Sequence, residues 1–188
     1  TEAEVTAVST FYTMYLKRKS GEYRVGNTDN PGTSLGQSPM RSPSVFNFYR
    51  PGYVPPGTAA ATANLMVPEM QIVHETTAAG YVNVMRDNVS AGVGAFGATN
   101  NRRDLQGNFA AEIALADRPA ELVAAVNRKL MYGSMPAALA TEIEGAVTSI
   151  AIPAATGSNQ AQIDIAKRNR VNAAIFLALV SPEFLVQK

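Results

Sequence analysis

Residues 117–150 read DRPAELVAAVNRKLMYGSMPAALATEIEGAVTSI, and this stretch decides the fold class. Leu122, Val123, Val126 and Leu130 fall on one helical face, as do Leu139, Ile143, Val147 and Ile150, so each half reads as a helix with one buried stripe. Pro119 suits a first turn, because the amide it lacks would be unpaired there, and Asp117 is the expected N-cap. Gly133 supplies a stop and Pro136 a restart. The link Tyr132-Gly133-Ser134-Met135 is short, which predicts an antiparallel hairpin of residues 119–132 and 136–150 with Leu130 in its core.

Downstream, Ser158 or Asn159 caps a long helix to about Val180, and the hairpin is expected to pack on it. Ser181-Pro182 then caps and opens a last turn. Upstream, a second run starts at Pro68 and carries Ile72, Tyr81, Val82 and Met85 to about Val89. Gly80 inside it costs about 1 kcal/mol relative to Ala, a cost best accepted where another backbone packs closely. Val5, Val8, Phe11, Tyr12, Tyr15 and Leu16 predict a further amphipathic helix over Glu2–Lys19, ended by Ser20-Gly21. Residues 109–115 fit a short strand or a helical turn. The expected class is all-α, mainly helical with long ordered Pro/Gly/Asn-rich loops and little or no sheet. Residues 1–188 read as a single helical region, with an ordered Pro-aromatic segment at 20–67 and a Gly/Asn-rich loop at 90–108. That last loop lacks a Gly-Lys-Ser/Thr sequence and so does not read as a phosphate cradle.

Composition narrows the function classes. At 188 residues and 46% hydrophobic content the chain can bury a sizeable core. A net charge of +1 gives no general attraction to nucleic acid, and the clusters Lys17-Arg18-Lys19 and Lys167-Arg168-Asn169-Arg170 are short enough for solvated faces or helix C-termini. The absence of cysteine excludes disulfides, thiolate metal sites and cysteine nucleophiles. No apolar run reaches the roughly 20 residues that span a bilayer. The chain opens on Thr-Glu-Ala-Glu, without an initiator Met and in helical register, which reads as a cut through something longer.

Segment 35–57 is the strongest functional signal, because prolines recur around Phe46, Phe48, Tyr49 and Tyr53 and a flexible linker would not carry such rings. Phe46 and Phe48 are expected to be largely buried, leaving Tyr49 or Tyr53 partly accessible. Arg41, Asn47, Tyr49, Arg50, Tyr53 and Glu69 form the candidate binding surface. Arginines can stack on rings and satisfy loop carbonyls, and the same set resembles a sugar platform. Glu69 is expected in a first helical turn, capping it or pairing with Arg41 or Arg50. Glycosidic chemistry needs two carboxylates, and Asp29, Glu75, Asp87 and Glu183 are the others considered. His74 is the sole histidine, without a ligand partner, so no metal site and no cofactor are expected.

Three blocks carry a family resemblance. Gly26-Asn27-Thr28-Asp29-Asn30-Pro31-Gly32-Thr33-Ser34-Leu35-Gly36-Gln37-Ser38-Pro39 runs into Arg41-Ser42-Pro43-Ser44-Val45-Phe46-Asn47-Phe48-Tyr49-Arg50-Pro51-Gly52-Tyr53, followed by Pro68-Glu69-Met70-Gln71-Ile72 and the closing Ser181-Pro182-Glu183-Phe184-Leu185. This order resembles the bacterial Domain of Unknown Function 1800 family. The resemblance implies bacterial origin, export to the periplasm or cell surface, and a longer protein of which this chain is the C-terminal part, with the N-terminal region as a partner. It brings no reaction. The resulting expectation is a structural or interaction role rather than catalysis, with a protein or polysaccharide partner and no nucleic acid. The alternative is a hydrolase or binding protein acting on a cell-surface polymer.

Overall fold

Helices joined by ordered loops dominate, as the periodicity predicts, and two short ladders accompany them. The computed structural model describes residues 15–18, 21–24, 28–96 and 103–185. The chain divides into two units, residues 1–106 and 107–188, with the boundary inside the 90–108 segment.

In the first unit, β1 (Tyr15–Arg18) pairs antiparallel with β2 (Gly21–Arg24), Tyr15 opposite Arg24 and Arg18 opposite Gly21. This corrects the helical reading of residues 15–18, while residues 2–14 and 19 of that expected helix lie outside the described residues. The adjacent pair Tyr15-Leu16 fits either period over so short a span, tyrosine is a good strand former, and Gly21 opens the returning strand instead of closing a helix. The short helix α1 (Ala59–Thr62) follows, its first turn capped by the Thr58 hydroxyl, which accepts from the Ala61 amide at 3.2 Å.

The run that starts at Pro68 also breaks in two. Pro68–Ile72 is a 3₁₀ turn, Val73 is extended, and the long helix α2 (Glu75–Ala91) begins only after His74. Thr77 explains the break: its hydroxyl accepts from the His74 amide at 2.9 Å and lies 2.6 Å from the Ile72 carbonyl, so it caps the helix from inside. The Gly/Asn-rich stretch is likewise more than a loop. Within it β3 (Val93–Phe96) pairs antiparallel with β4 (Arg103–Leu105), with an irregularity between the Val93–Leu105 and Phe96–Arg103 pairs. Gly92 makes the approach possible. At φ 85° it sits where a Cβ would lie 2.2 Å from the Leu105 carbonyl oxygen.

The second unit is the bundle the opening stretch predicts. After one turn of α3 (Ala110–Ile113), α4 (Pro119–Leu130) and α5 (Ala137–Ser149) pack on each other and on α6 (Gln160–Val180), and α7 (Pro182–Leu185) closes the chain. Leu122, Val126, Ile143, Val147 and Val171 are the largest fully buried side chains, and Ala174 and Ala178 let α6 approach its neighbours closely. Leu130 is only half-buried at the edge of this cluster. The link between α4 and α5 is tied down by Asn127, whose side-chain oxygen accepts from the Met135 amide at 3.0 Å and whose carbonyl accepts from Met131 at 2.9 Å.

Polar groups pin this bundle where the apolar pattern is silent. Arg170 donates to the carbonyls of Ile150 at 2.8 Å, Ala116 at 3.0 Å and Thr148 at 3.5 Å, holding the C-terminal end of α5 and the turn after α3 to α6. Asp117 pairs with Lys167 rather than capping α4, and Arg118 takes the cap position because Pro119 is the first helical residue. Glu112 is buried on α3 and takes the Lys129 ammonium. Burial alone would raise its pKa, but the hydrogen bond from Lys129, a backbone hydrogen bond and the charge of Lys129 together hold it below the usual value.

Candidate functional site

The Pro-aromatic loop is ordered from its threonine and asparagine side chains outward. Thr28 is buried; its carbonyl accepts from the Leu35 and Gln37 amides at 3.0 and 3.2 Å, and its hydroxyl donates to the Gln37 carbonyl at 2.6 Å. Asn30 turns the chain through its side-chain oxygen, which accepts from Gly32 and Thr33 at 2.9 and 3.1 Å. The loop built this way lies on α2 at Gly80, where a Cβ would stand 2.4 Å from the Pro31 carbonyl oxygen. The glycine inside the helix therefore sits where another backbone arrives.

Beyond Gly36 the loop folds into a concavity of about 400 Å³ lined by Leu35, Gln37, Ser38, Pro39, Asn47, Phe48 and Tyr49. Asn47 reaches it through a tight turn with φ 65°, its amide donating to the Ser44 carbonyl at 3.1 Å. Of the six candidate residues, the concavity brings together Asn47 and Tyr49. Arg41 is drawn elsewhere, donating from Nε to Asp29 Oδ2 at 2.6 Å, and this hydrogen bond with the charge behind it holds the Asp29 carboxyl below its usual pKa. Arg50 is exposed; its amide donates to Gln71 Oε1 at 2.6 Å, and its carbonyl accepts from Tyr53. Tyr53 is half-buried, and its carbonyl accepts from Val67 at 2.8 Å, so residues 50–53 run beside 67–71.

Glu69 stands exposed in the 3₁₀ turn, not in a long helix, and among the described residues it makes no ion pair. Where a cap or a pairing of Glu69 with Arg41 or Arg50 is expected, Arg41 instead pairs with Asp29. Phe46 corrects a second expectation. It is 56% exposed at the tip of the Ser44–Asn47 turn, whereas Phe48, Tyr49 and Tyr53 are half-buried. Residues that do much of the ordering, Thr28, Gln71 and Thr77, are missing from the predicted set. Their types are common in any loop, and only the spacing of Thr77 three residues beyond His74 hints at a cap.

Chemically, the concavity offers amides, a hydroxyl, a phenol and apolar walls, and no carboxylate lines it. Among the described residues no group of three or more His, Cys, Asp or Glu is placed to hold a metal ion, and no helix is long and apolar enough to cross a membrane. The family model described as protein of unknown function (DUF1800) matches residues 7–186. The chain belongs to this family. The match takes in every segment that builds the DUF1800 loop just described, from Thr28 to the Gly80 contact, and the whole three-helix core. No curated protein matches this DUF1800 chain, and no solved structure does.

Proposed function

We propose that this DUF1800 chain serves a structural or interaction role, holding a protein partner against the apolar surface of its first unit, outside the bacterial cytoplasm. The observation that carries this reading is the placement of its large apolar side chains. Met40 and Val45 are almost fully exposed and Phe46 more than half so, and Leu65, Met66 and Met70 are exposed further along the same unit. Large exposed apolar side chains are what an association surface offers a partner. Methionines add adaptability, since an unbranched thioether repacks around different contours. Arg41, a polar candidate, supports the same reading, because together with Gln71 it holds the loop in shape.

The test is affinity capture from the bacterium that encodes the chain, comparing wild type with Phe46→Ser/Met66→Ser and with Ile165→Ser, an exposed apolar site on the helical unit. One stoichiometric partner retained by wild type and Ile165→Ser and lost by the double variant supports the role. Identical profiles for all three proteins reject it, and fractionation of the tagged chain to the cytoplasm rejects the proposed location.

A second reading is favoured by one feature. The concavity sets the planar amides of Gln37 and Asn47 beside Tyr49, a combination that suits a sugar of a surface polymer, as a binding subsite rather than a hydrolytic one. Titration with cell-wall oligosaccharides decides this: saturable binding lost in Tyr49→Ala supports it, and turnover abolished by Glu69→Gln with folding intact would instead establish a hydrolase.

A further inference from the structure

A groove of about 430 Å³ opens within the helical unit, between α5 and the α6–α7 corner. Ala138, Glu142 and Ala146 follow one another at four-residue steps along α5, so the two small side chains leave a slot on either side of Glu142. Ile143 and Leu177 give the slot an apolar wall, and Glu183, in the first turn of α7, stands across from α5.

The two charged residues that line this slot, Glu142 and Glu183, are of one sign. Residues 137–149 carry Glu142 and Glu144 and no basic residue, and residues 171–185 carry Glu183 alone. The next cation along α6, Arg170, is committed to the carbonyls of Ile150, Ala116 and Thr148 beyond the last turn of α5. Both lining carboxylates are exposed and so open to a ligand's cations. An apolar slot of this size admits one or two side chains rather than a folded surface, and its frame repels an anionic or acidic visitor.

We propose that this groove is a docking site for a basic segment of a partner protein, in which one or two apolar side chains fill the slot and flanking Lys or Arg residues pair with Glu142 and Glu183. The groove belongs to the helical unit, and its ligand differs from the partner proposed above in requiring cations.

The experiment uses the full chain and two fluorescein-labelled probe peptides of about a dozen residues, one alternating leucine faces with lysine and the other identical but with glutamate for lysine. Fluorescence anisotropy should show binding of the lysine probe alone, weakening as salt rises from about 50 to 300 mM. Glu142→Gln/Glu183→Gln should weaken it roughly threefold to twentyfold, the span of two exposed ion pairs. Glu144→Gln, a charge loss on the same helix away from the lining, should change it by less than about twofold. Ala146→Trp, folded by circular dichroism, should abolish binding by filling the slot.

Amide shift changes should map to residues 138–146 and 177–183. Equal binding of the glutamate probe, equal effects of Glu144→Gln and the double variant, or shifts confined to 40–46 and 65–73 would each overturn the site. So would failure of the lysine probe to bind, or a concentration-dependent dimer in which a second copy covers the groove.

Discussion

Gly80 of α2 stands directly against the backbone of Pro31: a Cβ at position 80 would lie 2.4 Å from the Pro31 carbonyl oxygen and 3.1 Å from that of Ser34. Two effects of opposite sign meet there. Alanine would favour the helix by about 1 kcal/mol over glycine, but an overlap with backbone cannot be relieved by a rotamer change and costs about 1–3 kcal/mol. Gly80→Ala should therefore destabilise the first unit, read as a lower denaturant midpoint, while the same change in an isolated peptide of residues 75–91 raises helicity. A midpoint that rises in the full chain would show that the loop does not lie on the helix.

Core truncation should grade with burial in the helical unit. Leu122 is fully buried and Leu130 half-buried. Leu122→Ala is expected to cost about 2–5 kcal/mol and Leu130→Ala about 1–2 kcal/mol, the smaller value reflecting a rim that water can reach. Urea melts followed by far-ultraviolet circular dichroism give both numbers, and equal losses would contradict the packing described.

Glu112 sets an acid sensitivity. Its carboxyl is buried and its pKa held below the usual value, so it contributes stability above the unfolded value near 4, and that contribution is lost as pH falls through the folded pKa. Lys129 is mostly exposed, which screens the pair, so Lys129→Met is expected to cost about 1–2 kcal/mol at pH 7 and to flatten the stability profile below about pH 4. Unchanged stability at pH 7 would mean the ion pair has no net worth.

Arg170→Lys tests geometry at constant charge. A lysine keeps the cation but cannot present three donors in a fork to Ile150, Ala116 and Thr148, so a loss of about 1.5–3 kcal/mol is expected, nearly as large as for Arg170→Met. Rescue to wild-type stability by lysine would show that only the charge matters.

These residues also mark what could be read without coordinates. The bundle was legible because Leu122, Val126, Ile143 and Val147 repeat over two whole helices, long enough for the period to exclude a strand. The ladders were not, since strands of three or four residues such as Arg103–Leu105 hold too few alternations, and the break before α2 depends on one Thr77 hydroxyl. At the loop, composition points to packed aromatic and polar residues, but it cannot show which arginine finds which carboxylate. Arg41 passes over Glu69 for Asp29, twelve residues away in sequence. Exposure of Phe46 was equally hidden, because it follows from the tight turn at Asn47 rather than from any apolar pattern.

The clamp at Arg170 has a consequence for how long the fold persists. Its bonds join α6 to carbonyls 20 and 54 residues back along the chain, so they close only after the hairpin and the last long helix have come together. Contacts that form after the transition state govern escape rather than arrival. Weakening this one should leave the refolding rate nearly untouched and hasten unfolding, shortening the lifetime of the native helical unit. In a compartment patrolled by proteases, that lifetime sets how long the chain survives when cleavage outpaces reclosing.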